Sequence, residues 1–441
     1  MKLRKFIFWL HFTAGVVAGS VIFMMSVTGV LLAFECQIVA FAERHTRTVQ
    51  PRTPDGPRLG LDALVSKARE LLPEGLPTNV TLSAHPTTAA LISFGREQVV
   101  LVDPYTGTVL GEGSTTLRGF FRVVTDWHRW LGTQGESREI GRAITGACNA
   151  AFVVLVVSGF YLWWARRWTR VALKTVTVPS LKLHGKPRDW NWHNVVGFWS
   201  APALFCIALT GVVMSYQWAN NLIYSLTGSE PPPIPQRSFA TPPGGTGAGQ
   251  GGSMPSTPGS LPDVRGERQE RPAGGATGER QGRAGTTGES DTMPAVASLE
   301  AMFAAAVQQA PNWRVMNIRL PQGGASQMTI VIEEATSLHP YPRSTLTLDV
   351  STAAVVNWEP FARYNLGRTI RLWVRPMHTG EVGGLIGQII AALVSAGGAV
   401  LVYTGLALAW RRFWQFVRRH QRIDGLPARR KEQDVARRQA S

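Results

Sequence analysis

The sequence predicts an α-helical membrane protein: four transmembrane helices arranged as two repeats, each repeat carrying a small α+β module outside the membrane. Three observations carry this. First, apolar residues bunch into four stretches, 6–34, 140–164, 195–216 and 382–410, and about 20 mostly apolar residues suffice to cross a bilayer. Second, "HFTAGVVAGSVIFMMSVTGV" and "HNVVGFWSAPALFCIALTGV" align without a gap, so that His11, Gly15 and Thr28-Gly29-Val30 match His193, Gly197 and Thr210-Gly211-Val212. Third, lysine and arginine cluster beside the apolar stretches rather than along one face of a soluble domain.

That clustering sets the topology. The 441-residue chain has a net charge of +16, which in a soluble protein would suggest nucleic acid. Here Lys2, Arg4 and Lys5 precede the first span, Arg166, Arg167, Arg170, Lys174, Lys182, Lys186 and Arg188 separate the second from the third, and Arg411, Arg412, Arg418, Arg419 and Arg422 follow the fourth. Short basic loops stay in the cytoplasm. Both termini are therefore expected inside, with the two larger segments in the periplasm of a bacterial inner membrane and no nucleic-acid partner.

In chain order, the first span (6–40) reads as a retained anchor, because no small-x-small cleavage site follows it before Glu35. A first external module (50–116) begins with "LDALVSKARELLPEGLPTNVTLS", apolar at helical spacing and then alternating. A turn at Asp103-Pro104-Tyr105-Thr106-Gly107 divides its later strands. Residues 117–165 hold the second span, preceded by a short interfacial helix, "FFRVVTDWHRWL". A basic loop (166–190) leads to the third span (191–222). The stretch 228–290 is rich in Gly, Pro, Arg and Glu, with almost no aromatic residues. It cannot bury enough surface to offset ordering and reads as a disordered periplasmic linker. The second module (295–365) opens with "ASLEAMFAAAVQQAPNWRVMNIRLP", the counterpart of the first. The fourth span (368–412) and a basic tail (413–441) complete the chain. Cys36, Cys148 and Cys206 all lie in or beside spans, and without a close pair they read as small buried apolar residues.

Four of the nine histidines stand at span mouths. With the spans running alternately outward and inward, His11 and His193 share the cytoplasmic level, and His128 and His378 share the periplasmic level. Each level thus offers two imidazoles from different helices, which is what bis-histidine ligation of a b-type haem requires. Two haem b groups are expected, with iron held by His11 and His193 and by His128 and His378. Gly15 and Gly197, one turn from their histidines, are candidate haem-binding positions because a residue without a side chain admits a flat macrocycle; Gly19 and Ala201 continue that stripe. Such stripes also serve helix–helix contacts. His45 is the best substitute ligand on the outer face. His85, His184, His339 and His420 read as solvated. Trp127, Trp130, Trp190, Trp192, Trp199 and Trp373 read as an interfacial belt, and Arg4, Arg129, Arg371 and Arg375 as candidate partners for haem propionates. No phosphate-binding loop, C-x-x-C-H, HExxH or nucleophile–base pair occurs.

"MHTGEVGGLIGQIIAALVSAGGAVLVYTGLALAWRR", "SGFYLWWARR" and the paired H-x3-G…TGV spans resemble the PepSY-associated transmembrane family, and the external segments look like its PepSY modules. That resemblance covers nearly the whole chain apart from the linker and tail. It implies a ferric-siderophore reductase: electrons from a quinol or a cytoplasmic donor would cross the lipid bilayer through two haems and reduce siderophore-bound ferric iron in the periplasm, releasing Fe(II). By position, the family's histidines fall on His11, His128, His193 and His378. Two other expectations compete: a membrane-anchored PepSY module that binds or inhibits without a redox cofactor, and a transport subunit that handles siderophores.

Overall fold

The computed structural model describes residues 2–50, 56–164, 169–231, 297–335 and 342–424. Helix α1 (Lys2–Leu32) is followed by short α2 (Glu35–Ala42) and α3 (Arg44–Arg47), then by α4 (Leu61–Leu71) and strands β1 (Asn79–Ser83), β2 (Ala90–Phe94), β3 (Gln98–Val102) and β4 (Val109–Glu112). Helices α5 (Thr115–Trp130), α6 (Ser137–Trp163), α7 (Arg170–Thr177), α8 (Gly185–Ser215) and α9 (Gln217–Leu226) come next. The second half resumes with α10 (Leu299–Gln309), strands β5 (Trp313–Arg319), β6 (Gln327–Glu334), β7 (Arg343–Asp349) and β8 (Val355–Glu359), and ends with α11 (Leu366–Thr379) and α12 (Gly384–Asp424). The linker read at 228–290 lies, from 232 onward, outside the described residues, as does the tail beyond 424.

Among the described residues, four helical segments are long and apolar enough to cross a membrane: Leu3–Ala42, Ser137–Trp163, Gly185–Ser215 and Glu381–Arg419. They form one bundle in which α1 packs on α6 and α12, and α8 packs on α6 and α12. Apolar side chains such as Phe6, Val17, Trp199 and Leu393 point outward, as expected of helices whose outer solvent is lipid. The cysteines are free; Cys36 and Cys206 lie on the exposed surface of the bundle, not in its core, and Cys148 is half-buried.

The span boundaries differ from the sequence reading in physical detail. Helix α8 begins at Gly185, inside the stretch read as basic loop. The sequence predicts one helix for the fourth span over 368–412, yet α11 and α12 are separate. Gly380 takes a left-handed conformation (φ 77°) that ends α11, and its carbonyl lies so close to Gly387 that a Cβ there would be 2.2 Å from it. The first half makes the same reversal. Helix α5 ends at Leu131 (φ 56°), and Gly141 of α6 receives the carbonyl of Trp130.

The two external modules are not separate bodies. Their strands form one antiparallel sheet of order β4-β3-β2-β1-β5-β6-β7-β8. The seam is the β1–β5 ladder, with Thr81 opposite Asn317 and Val80 opposite Ile318. Alternation along β6 and β7 buries Met328, Ile330, Ile332, Leu346 and Leu348 on one face. Leu61, Leu64, Val65 and Ala68 of α4 and Met302 and Ala306 of α10 cover that face in a single core. The two helices cap each other: Glu300 Oε2 accepts from Leu61 N (2.8 Å), and Asp62 accepts from Leu299 N (3.3 Å) and Glu300 N (3.2 Å).

Candidate functional site

Helix α1 carries His11 near one end and Thr28 near the other, seventeen residues apart, which is about 25 Å at the helical rise. Helix α8 repeats this with His193 and Thr210. The bundle therefore has two polar levels separated by most of a bilayer's hydrocarbon thickness.

At one level the rings of His11 (α1) and His193 (α8) face each other with centroids 6.3 Å apart and planes at 90°. At the other, His128 (α5) and His378 (α11) stand 6.3 Å apart at 69°. Neither of the second pair lies on a spanning helix; α5 packs on α1 and α11 on α8, and the helix reversals at Leu131 and Gly380 turn their histidines inward. All four side chains are half-buried. In both pairs, one histidine comes from each half of the chain.

Every Nδ1 is engaged. His11 Nδ1 meets Ser158 Oγ (2.9 Å), His193 Nδ1 meets Thr404 Oγ1 (3.0 Å), and His128 Nδ1 meets Thr28 Oγ1 (2.8 Å). His378 Nδ1 donates to the carbonyl of Ile207 (2.9 Å) and meets Thr210 Oγ1 (3.2 Å). None of these contacts uses Nε2. Two imidazoles that share one metal through bonds of about 2 Å place their ring centres roughly 6 Å apart, which both pairs satisfy. Among the described residues no group of three or more His, Cys, Asp and Glu could hold a metal ion. Each pair brings two imidazoles to the spacing at which both could bind one metal ion.

The other expected positions divide. Carbon placed at Cβ of Gly15 would lie 3.7 Å from Leu155, and at Gly197 3.5 Å from Leu401; these glycines lie against a neighbouring spanning helix. Arg4 donates to the carbonyls of Leu162 (2.7 Å) and Trp164 (3.3 Å), closing the end of α6. Arg371 donates to Asn220 (2.7 Å). Arg129 stacks on Trp130, 4.5 Å from the ring centre, and Arg375 is exposed. His45 is exposed on α3 and is not a member of either pair. His85 touches Thr87 at an exposed turn, His184 precedes α8, and His339 lies outside the described residues. Trp130 is buried rather than interfacial. In the sequence Thr28, Ser158, Thr210 and Thr404 serve only to mark the matched spans, with no role assigned to their hydroxyls. Their signal was present: each precedes a glycine in a matched span.

No curated protein matches the chain. The family model for the PepSY-associated TM region matches residues 8–412, a stretch that runs from the first spanning helix through both histidine pairs and into the fourth. The chain belongs to that family of multi-pass membrane proteins.

Proposed function

We propose that this protein carries electrons across a membrane by means of two bis-histidine haem b groups and delivers them to ferric iron bound by a siderophore. The carrying observation is the pair of histidine couples, each at 6.3 Å and each with Nδ1 already engaged. When bound, haem supplies reversible one-electron chemistry that no side chain of this chain offers.

The residues divide the work. His11 and His193 hold one group near the basic ends of the bundle, where a cytoplasmic or quinol donor would deliver electrons. His128 and His378 hold the other at the end that bears the sheet. The apolar spans between the levels keep water and ions from short-circuiting the path. The sheet supports substrate recognition through the face its helices leave uncovered, which carries Asn79, Thr81, Ser93, Thr329, Thr345 and Thr347 together with Arg319, Glu333 and Arg343. These hydrogen-bonding and charged groups suit an oxygen-rich chelate. Reduction lowers the charge on the iron, and oxygen donors then hold it less tightly. In this reading the siderophore is met in the periplasm and both termini lie in the cytoplasm, in keeping with the basic residues beside the spans.

The test is the spectrum of the purified full-length protein from haem-sufficient cells. Dithionite-reduced minus oxidised spectra should show b-type bands from two haems per chain. His193→Ala should lose one of the two and leave the other. A stable, colourless wild-type protein would overturn the proposal and favour an anchored binding module.

A further inference from the structure

Each spanning helix carries a hydroxyl residue followed by glycine: Thr28-Gly29, Ser158-Gly159, Thr210-Gly211 and Thr404-Gly405. The four histidines alone do not account for these pairs. Every hydroxyl back-bonds to the carbonyl four residues earlier in its own helix: Thr28 to Met24 (2.8 Å), Ser158 to Val154 (2.6 Å), Thr210 to Cys206 (2.7 Å) and Thr404 to Val400 (2.8 Å). Such bonds are common where Ser and Thr occur in apolar helices and would satisfy the hydroxyl without any histidine. Yet each of the four also touches a histidine Nδ1 from another helix.

Proton counting decides the direction of those contacts. A hydroxyl has one proton. With that proton given to a carbonyl, the oxygen can only accept, so Nδ1 must be the donor. His378 gives an independent reading, because its Nδ1 also faces the Ile207 carbonyl, which has no proton to give. The glycines complete the seat. A Cβ on Gly159 would stand 3.2 Å from His11 Cε1, on Gly405 3.4 Å from His193 Cε1, and on Gly29 3.6 Å from His128 Cε1. Cε1 lies between the two ring nitrogens, so a side chain at Gly159 would press on the ring near its hydroxyl contact, while at Gly405 and Gly29 a Cβ would meet the ring at ordinary contact distance. Gly211 differs: a Cβ there would meet Asn149 at 2.7 Å.

We infer that Thr28, Ser158, Thr210 and Thr404 are positioning residues that hold their histidines as the Nδ1–H tautomer, with a bare Nε2 turned toward the partner ring, and thereby set the reduction potential of the metal bound there. The effect on potential rests on the haem reading above; the tautomer does not. Donation from Nδ1–H raises the basicity of Nε2, which favours the more highly charged ferric state. Removing the acceptor should make the centre easier to reduce.

Thr404→Val keeps the side chain's shape and removes the acceptor. Redox titration of the full-length variant should show both haems retained and one centre shifted upward. A tenfold rise in its reduced-to-oxidised ratio at fixed ambient potential corresponds to about 59 mV for one electron. Thr404→Ser should restore the wild-type value. Ser158→Ala should move the same centre, since His11 and His193 face each other, and Thr28→Val should move the other. Unchanged potentials in all three variants with haem retained would overturn the inference. A second measurement works without haem. Nitrogen-15 imidazole NMR of metal-free protein should report Nδ1–H at the four histidines, with the His193 Nδ1 signal shifted in Thr404→Val, where the Leu401 backbone remains as its partner; Nε2–H in the wild type would overturn the inference. A wild-type protein without b-type bands but with Nδ1–H histidines would sink the haem reading and leave the seat standing.

Discussion

At the scale of single residues, the histidine sites depend on places where backbone meets backbone. Gly387 is the clearest. A methyl group there would be 2.2 Å from the carbonyl oxygen of Gly380, which itself needs its positive φ to end α11 two residues after His378. Neither backbone can yield without moving that histidine. Gly387→Ala should therefore lower thermal stability in detergent by the 1–3 kcal/mol typical of overpacking and weaken the His128–His378 site, leaving the His11–His193 site intact. Gly383→Ala, where a Cβ meets nothing within 4 Å, is the control. Equal losses in both variants would show that the close approach is not what matters. The histidines themselves were legible in the sequence because an imidazole at the end of an apolar run has no other obvious reason to be there. Their hydroxyl partners were not. A serine or threonine inside a span can satisfy itself on its own helix, so its type carries no sign of what lies across the interface.

At the scale of elements, amphipathic periodicity located α4 and α10 and strand alternation located the sheet, since each element buries one face. The separate identity of α11 was hidden. Its apolar residues run on toward those of α12, and two glycines of positive φ between them, Gly380 (77°) and Gly384 (57°), break the helix. Also invisible was the reciprocal capping of α4 and α10, because Asp62 and Glu300 are 238 residues apart and each looks like an ordinary acid in the first turn of its own helix. Each carboxylate satisfies amide groups at the start of the other helix and sits at the positive end of its dipole. Asp62→Ala and Glu300→Ala should each destabilise the sheet by about 1 kcal/mol. The double variant should cost less than the sum if the two caps depend on one docked geometry. Strict additivity, measured by thermal unfolding of the full chain, would show instead that each cap acts alone.

At the scale of the molecule, the two halves complete one another. Each histidine pair takes one ring from each half, and the single sheet is closed by the β1–β5 ladder between them. Sequence similarity between the halves announced two comparable modules but could not show that they share strands. Edge-strand pairing leaves no local pattern, and Asn79, Thr81 and Asn317 read equally well as a solvated edge. The sheet is fastened to the bundle at Glu43, between α2 and α3. Its buried carboxylate accepts from Arg47 (2.8 and 2.9 Å), from Arg118 of α5 (2.8 and 3.0 Å) and from Ser114 N (2.9 Å). Burial alone would raise its pKa, but the Arg47 hydrogen bonds, the Arg118 charge and the backbone amide outweigh burial and hold it below the ordinary value, which is about 4.3 for glutamate. A depressed folded-state pKa stabilises above the unfolded value and loses that contribution as pH falls through the folded one. Glu43→Gln should accordingly unfold at a lower temperature than wild type at pH 7, because it leaves two arginines without their counter-charge. That gap should narrow as the pH is lowered from about 5 through the acid range, because wild-type Glu43 becomes neutral as well. Since Arg118 lies on the helix that carries His128, the same variant should loosen the His128–His378 site before the His11–His193 site. A stability difference independent of pH would mean that the carboxylate is held by shape alone and that its charge does not join sheet to bundle.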